Sequence, residues 1–470
     1  MSATATTEKK YLKWYQKLAY GSGDLASNCS YGLVSSFVLL YLTGTLGLDS
    51  AIIGSLMLAS KVLDGISDVI FGTLIDRTHS KLGKARPWML FGQVGVSLCL
   101  FLLFAIPAGS TTMQYIYFFI VYTALNAVFY TANGIAYSSL VALITKNNNE
   151  RVQLGSFRFM FAVVTNIFMG FAVTGMVEKF GSGAAGWRTT ALIFAIVGLV
   201  VNTISCLAVK ELPEEELGDN TSEAAEEGKA VAEEKKHGFA ETAKVLVHNK
   251  YYLMILAIYI VYYIMSNLTT GAGVFCATYY WGDGSLLGQF SMMKMFPVII
   301  ALAIAPVLIK KTGSMQKVNF WGYAISSVLG IPMIYFAMQK NLSMFLLFMF
   351  IKGIFAGTLS GSLNALIAEA SGYTTRTTGI HMDGMMYSCS SLGVKVGGGI
   401  GTAAVGWLLK LGGFVGTAMV QSESAIRMIF NLYITFPFVI GIIITVLLAF
   451  LDVEKANKKW DVEHQKEAQA

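Results

Sequence analysis

The sequence predicts an all-α polytopic membrane protein, and two observations carry that expectation. Of 470 residues, 55% are hydrophobic and only 13% charged, with a mean hydropathy of +0.59. A soluble domain covers its surface with about a quarter charged residues. The second observation is length: apolar stretches of roughly 20 residues, each long enough to cross a bilayer, recur along most of the chain.

Twelve such spans are expected, taken in order at 18–44, 51–75, 88–108, 113–144, 154–177, 187–209, 251–279, 285–309, 317–338, 342–370, 379–411 and 427–451. Lys9, Lys10, Lys13 and Lys17 precede the first, and Asp49 marks the loop after it. The second span closes on DRTHSKLGKARPW, in which Arg77, Lys81, Lys84 and Arg86 are basic and Pro87 and Trp88 mark re-entry into the membrane. The third and fourth spans are joined without a charge, and Lys146 and Arg151 separate the fourth from the fifth. Beyond the sixth comes the one long polar stretch, 210–250, containing ELPEEELGDNTSEAAEEGKAVAEEKKHG, whose Glu and Ala content suits a solvated helix or tether. Asp283 is the charge of the seventh loop, and Lys310, Lys311 and Lys317 flank the eighth. All the basic loops fall on one side, so the positive-inside rule puts both termini in the cytoplasm and the protein in a cell membrane. The expected organisation is a six-helix half at 1–209, a cytoplasmic linker at 210–250, a second six-helix half at 251–451 and a cytoplasmic tail at 452–470. Two such halves packed around a central cavity can rock against each other.

Continuously apolar segments exclude a β-barrel, whose strands alternate apolar and polar residues. The opening MSATATTEKKYLKW lacks an apolar core followed by a cleavage site, so no removable signal peptide is expected. Cys29, Cys99, Cys206, Cys276 and Cys389 fall inside expected spans without metal-ligand spacing and read as small buried apolar residues, and the five histidines are scattered. The net charge of +6 follows from loop topology rather than from nucleic-acid binding. Neither HExxH nor a Ser/His/Asp grouping is present, so an intramembrane enzyme is disfavoured.

The informative charges lie inside the spans. Lys61, Asp64 and Asp68 are spaced three and four residues apart, which places all three on one helix face. A carboxylate at the bilayer centre costs at least ~2.5 kcal/mol, and two on one face repel each other. The pair needs a cation: Lys61, a basic residue on another helix, or a bound Na⁺ or H⁺. A salt-bridge network that locks the bundle is the structural alternative. Arg158 in the fifth span and Lys395 in the eleventh are candidate counter-charges, and Gly393, Gly397, Gly398 and Gly399 around Lys395 would let a neighbouring helix approach closely. Asp76, Arg77, Lys84 and Arg86 are candidate cytoplasmic gate charges, bonding helix-end carbonyls or an acid on another helix. Asp24, Asn28, Tyr31, Asn133, Tyr137 and Ser138, with Thr131, combine hydroxyls, amides and rings, the mixture a sugar site uses. Arg158 and Ser391 complete the candidate substrate set.

At these residues the chain resembles the glycoside-pentoside-hexuronide:cation symporter family, a branch of the major facilitator superfamily typified by the melibiose permease. The resemblance covers nearly the whole chain and is carried by YGSGDLASN at 20–28, DGISDVIFGTLIDRTHSKLGKARPW at 64–88, NNERVQLGSFR at 148–158 and YSCSSLGVKVGG at 387–398. It implies a secondary active transporter working by alternating access, with Asp64 and Asp68 as cation-site carboxylates, Thr131 adding an oxygen and Lys395 as a coupling charge. Ser67 stands where the melibiose permease has a cation-selecting asparagine, so Na⁺ and H⁺ both remain open. Asn28 and Gly134 occupy positions of sugar-binding aspartates, and Ser138 that of a stacking tryptophan, so melibiose is not the expected substrate. In AEASGYTTRTTGIHMDG, Glu369 stands where an aspartate is common. The expected partners are a small sugar or glycoside, the coupling cation and the bilayer, with no cofactor beyond the transported ion. A same-fold transporter of a non-sugar solute, such as an organic anion or a lipid, is the alternative.

Overall fold

The computed structural model describes residues 9–213, 245–379, 383–418 and 420–467. Most of the expected 210–250 linker therefore lies outside the described residues. Those described are overwhelmingly helical, with no strand among them. We number the helices α1 (Trp14–Thr45), α2 (Ser50–Asp76), α3 (Arg86–Leu103), α4 (Thr111–Ile144), α5 (Asn148–Lys179) and α6 (Gly183–Leu207). After the linker come α7 (Lys250–Tyr280), α8 (Leu286–Thr312), α9 (Met315–Met338), α10 (Leu342–Thr378) and α11 (Asp383–Leu411). The twelfth, α12, runs through Glu423–Phe430, Asn431–Thr435 and Phe436–Phe450, and α13 is Val453–Glu467.

Eleven helices are long and apolar enough to span a membrane by length and composition. The remaining element of the expected twelve is α2. Its 27 residues extend about 40 Å, enough to cross, but Lys61, Asp64 and Asp68 interrupt its apolar run.

Local chemistry explains where the helices begin. Asp49, Ser110, Asn147, Asn249, Ser314 and Asn341 each accept a hydrogen bond from an amide of the first turn of α2, α4, α5, α7, α9 and α10, giving orphan N–H groups a partner. Gly379, in the left-handed conformation at φ 70°, closes α10. Pro297 and Pro306 sit inside α8 and Pro332 inside α9, as membrane helices tolerate where neighbours re-satisfy the freed carbonyls. π-helical turns occur at Tyr41–Thr45 in α1, Ala124–Tyr130 in α4, Cys276–Tyr280 in α7 and Asn431–Thr435 in α12. α1 and α7, the first helix of each six, thus both end on one.

Two compact units result. Among the described residues the first contains 9–213, 277–288 and 406–426, and the second contains 245–276, 289–405 and 427–467. Within the first unit, α3 packs against α4 and α6, and α1 against α5 and α6. The Gly406–Ile426 segment is tied to this unit by three polar contacts. Ser50 Oγ donates to the Gly406 carbonyl at 2.9 Å, Trp407 Nε1 to Ser55 Oγ at 2.9 Å, and Lys410 Nζ meets Asp49 Oδ2 at 2.7 Å. Burial pushes the Asp49 carboxyl up, but the bonds from Lys410 and the Ile52 and Ala51 amides outweigh it and hold it below the usual carboxylate range. In the second unit α9 packs along α10 and α12, and a core of Ile255, Tyr259, Leu359, Leu363 and Leu448 joins α7, α10 and α12.

Candidate functional site

Within the first unit the candidate residues fall into two charged clusters. One is centred on Asp64. Its Oδ1 accepts from Thr131 Oγ1 at 2.6 Å, and its Oδ2 lies 3.4 Å from Lys61 Nζ. Thr131 Oγ1 also lies 2.9 Å from the Asn126 carbonyl oxygen, a geometry made possible by the π-helical turn that ends at Tyr130. Such insertions re-aim side chains and concentrate at functional positions. Asp68 is one turn further along α2 and half-buried, whereas Asp64 is buried. Asp64 and Asp68 are thus brought together with the Lys61 ammonium and the Thr131 hydroxyl, and Lys61 supplies positive charge that the acids require.

The second cluster is centred on Asp24 and Arg158. Arg158 Nε lies 2.6 Å from Asp24 Oδ2, and the guanidinium sits 4.1 Å from the centre of the Tyr137 ring, a cation–π contact on top of an ion pair. Tyr137 Oη donates to the Tyr20 carbonyl at 2.8 Å, Tyr20 Oη donates back to the Tyr137 carbonyl, and the two rings lie 4.8 Å apart. Asn28 Nδ2 donates to the Asp24 carbonyl at 2.8 Å, and Asn28 Oδ1 accepts from Asn166 Nδ2 at 2.9 Å. The rings of Tyr31 and Tyr130 stack at 5.7 Å. Tyr31 is two turns beyond Asp24 on α1 and Tyr130 immediately precedes Thr131, so this stack connects the two clusters.

Other candidates are placed elsewhere. Ser67 Oγ donates to the Asp64 carbonyl at 2.9 Å, within its own helix. Asn133 donates to Gln93 Oε1 at 2.6 Å in the buried α3–α4 contact. Ser138 is exposed, as are Asp76 and Arg77 at the end of α2. Arg86 Nε donates to the Cys206 carbonyl at 3.2 Å and Nη1 to that of Leu82 at 3.4 Å, which fastens the start of α3 to the end of α6. Beside it the amides of Lys84, Ala85 and Arg86 all donate to the carboxylate of Glu211, at 2.7, 3.0 and 3.0 Å.

In the second unit, α11 approaches α7 through glycines. A Cβ on Gly401 would lie 2.6 Å from the Ile264 carbonyl oxygen, and Gly393 and Gly397 are as closely opposed to Tyr259 and Ile260. Lys395 lies about 200° around the helix from Gly393, on the face turned away from α7, and is half-buried; Ser391 is exposed.

Several polar residues escaped sequence reading. Glu150 accepts from the Tyr11 and Leu12 amides and from Thr145 Oγ1, and lies 2.9 Å from Lys17 Nζ. Asn166, beside Thr165, lies in an otherwise apolar run. Glu211 is hidden at the head of an acidic linker, and its cap on α3 could be foreseen only by knowing which helices are neighbours.

Comparison with known proteins identifies the family and the fold. Residues 19–455 match the family described as MFS/sugar transport protein. The isoprimeverose transporter of Lactiplantibacillus pentosus is 26% identical over 98% of this chain and 93% of its own. A putative glycoside/cation symporter of Escherichia coli (strain K12) is 24% identical over 90% and 88% respectively. The crystal structure of a D-xylose-proton symporter shares the fold, with a TM-score of 0.64 at 12% identity over 94% of this chain and 98% of that one. A match spanning nearly the whole chain, over helices that follow the same architecture, shows that this protein belongs to the MFS/sugar transport family.

Proposed function

We propose that the protein is a sugar:cation symporter that carries a glycoside, pentoside or hexuronide together with Na⁺ or H⁺. The observation that carries this reading is the Lys61–Asp64–Thr131 cluster, with a second carboxylate, Asp68, one turn away in the same membrane helix. An arriving cation would bind between Asp64 and Asp68, with Thr131 as a further oxygen. As it does so it competes with the Lys61 ammonium for Asp64 Oδ2. Displacing that ammonium changes the charge balance beside the Tyr31–Tyr130 stack, and through it the Asp24–Arg158–Tyr137 cluster where polar groups and rings would meet a sugar. Cation and solute then raise each other's affinity, because a coupling free energy between two sites is reciprocal. No covalent step is required.

Transport would proceed by alternating access, with six-helix halves at 1–209 and 251–451 and with the termini and the 210–250 linker on the cytoplasmic side of a cell membrane. On α11, Ser391 would be a solute-binding group and Lys395 a coupling charge. Asp76, Arg77, Lys84 and Arg86 would act on the cytoplasmic side, where Arg86 braces α3 against α6.

The test is uptake by purified protein in liposomes, using labelled neutral and acidic sugars under an imposed Na⁺ or H⁺ gradient. Accumulation under one gradient, lost in Asp68→Asn, is the expected result and names the ion. Movement of a non-sugar solute alone, with no sugar carried under either gradient, would refute the sugar assignment.

A further inference from the structure

From Thr242 to Ala368 the chain contains a single acidic residue, Asp283, which lies in the loop between α7 and α8. Yet α8 carries Lys294 and α10 carries Lys352 in the middle of otherwise apolar runs, SMMKMFPVII and FMFIKGIFAG. Both lysines line one cavity of about 180 Å³ that lies wholly within the second unit. They stand at similar depth: Lys294 is eight residues and Lys352 ten residues from the start of its helix, or about 12 and 15 Å at 1.5 Å per residue.

Their surroundings are polar but neutral. Lys294 Nζ donates to Thr269 Oγ1 at 3.3 Å and Thr270 Oγ1 at 3.2 Å on α7. Lys352 makes no hydrogen bond or ion pair among the described residues. The same cavity is lined by the hydroxyls of Tyr262, Ser266, Ser326 and Ser360 and by the rings of Tyr433 and Phe345. An ammonium in a membrane interior is costly, and such residues are kept where they pair or face a ligand path. α8 carries no acid, and the one on α10, Glu369, lies 17 residues beyond Lys352, about 25 Å along the helix.

We propose that Lys294 and Lys352 form an anion-recognition subsite, and that the transported solute is an acidic sugar bearing a carboxylate or sulfonate. The inference rests on the sugar-symporter reading above and narrows it. The two ammonium groups would receive the anionic oxygens as charge-assisted hydrogen bonds, stronger than the neutral ones they make now. The hydroxyls would bond the sugar, and the rings would cover its apolar face. Lysine suits an oxyacid of either geometry because it acts as a point charge rather than a fixed fork.

The experiment pairs transport with binding. Liposomes containing wild type, Lys352→Gln, Lys352→Arg or Lys294→Gln are given a neutral glycoside, a hexuronide and a sulfonated hexose under the productive gradient. Thermal unfolding of each purified protein is recorded with and without the same three compounds. The expected result is accumulation of an acidic sugar, with a half-saturation concentration raised at least tenfold by Lys352→Gln, largely restored by Lys352→Arg, and an acid-specific thermal shift lost in Lys352→Gln. A neutral glycoside accumulating as well as the acidic sugars, or an acidic-sugar response untouched by either glutamine variant, overturns the proposal. If no sugar of any charge moves, the symporter reading fails, and the thermal shift alone judges the subsite: an acid-specific shift abolished by Lys352→Gln supports it, and no shift refutes it.

Discussion

The two units treat charge inside the membrane in opposite ways. The first satisfies it internally: Lys61 with Asp64, and Arg158 with Asp24, each a cation and an acid within reach. The second carries Lys294 and Lys352 on helices whose sequence offers a single carboxylate, Glu369, near the far end of α10. Away from these sites the units solve one structural problem alike. Glu211, just past α6, caps the start of α3, while Glu454, just past α12, caps the start of α9 by accepting from the Met315 amide at 2.8 Å, the Gln316 amide at 3.3 Å and Ser314 Oγ. Arg86 reaches the Cys206 carbonyl, and Gln316 Nε2 reaches that of Leu448 at 2.9 Å. The shared braces are architecture common to both halves. On the proposed reading the unshared charges divide the work, with the coupling cation held in the first unit and the acid group of the solute received in the second.

The largest effect is expected at Asp64. Asp64→Asn leaves Lys61 facing a neutral amide and removes half of the carboxylate pair, so gradient-driven accumulation in liposomes should fall to simple equilibration. An Asn variant that still concentrates solute would break the division of labour between the units.

Next comes the Asp24–Arg158 pair. Arg158→Gln leaves Asp24 without its cation and takes the guanidinium off the Tyr137 ring. Because both side chains keep some solvent access, 24% and 17% exposed, the loss should be about 2 kcal/mol rather than the larger cost of a fully buried pair. Adding Asp24→Asn to Arg158→Gln should recover part of it, as a double-mutant cycle in thermal unfolding would show.

The two caps sharpen the comparison from the other side. Glu211→Ala and Glu454→Ala should each destabilise by about 1 kcal/mol, the usual value of a helix cap, and by similar amounts if the braces are equivalent. A cost confined to one would mean that the resemblance between the units is geometric only.

The smallest effect concerns Asp49. Its folded carboxyl titrates below the ordinary carboxylate range, so its contact with Lys410 stabilises at pH values above that range and is lost as pH falls through the lowered value. Hydrogen exchange of residues 406–418 should accelerate on acidification in the wild type and be already raised, with a flatter pH response, in Asp49→Asn.

Much of this architecture was legible beforehand. Apolar runs and basic loops located the helices to within a few residues, because the bilayer sets both length and composition. The ends differ where helices outrun the apolar core: α10 continues to Thr378, and the expected tail forms α13. Lys61, Asp64 and Asp68 were visible because charges at helical spacing in an apolar run are conspicuous. That Thr131 belongs to the cation site came from resemblance, while its bond to Asp64 rests on the packing of α2 against α4, which no spacing rule announces. Lys294 and Lys352 were passed over for the opposite reason: with no acid nearby in sequence, nothing flagged them until the fold put both on one cavity.

The central claim is that cation coupling resides in the α2 carboxylates, and the most direct measurement is solute accumulation in liposomes by wild type, Asp64→Asn and Glu211→Ala under the same gradient. The account predicts that Asp64→Asn loses accumulation, whereas Glu211→Ala, a brace with no part in the cation site, retains it at somewhat lower stability. Accumulation by Asp64→Asn at the wild-type level would contradict it.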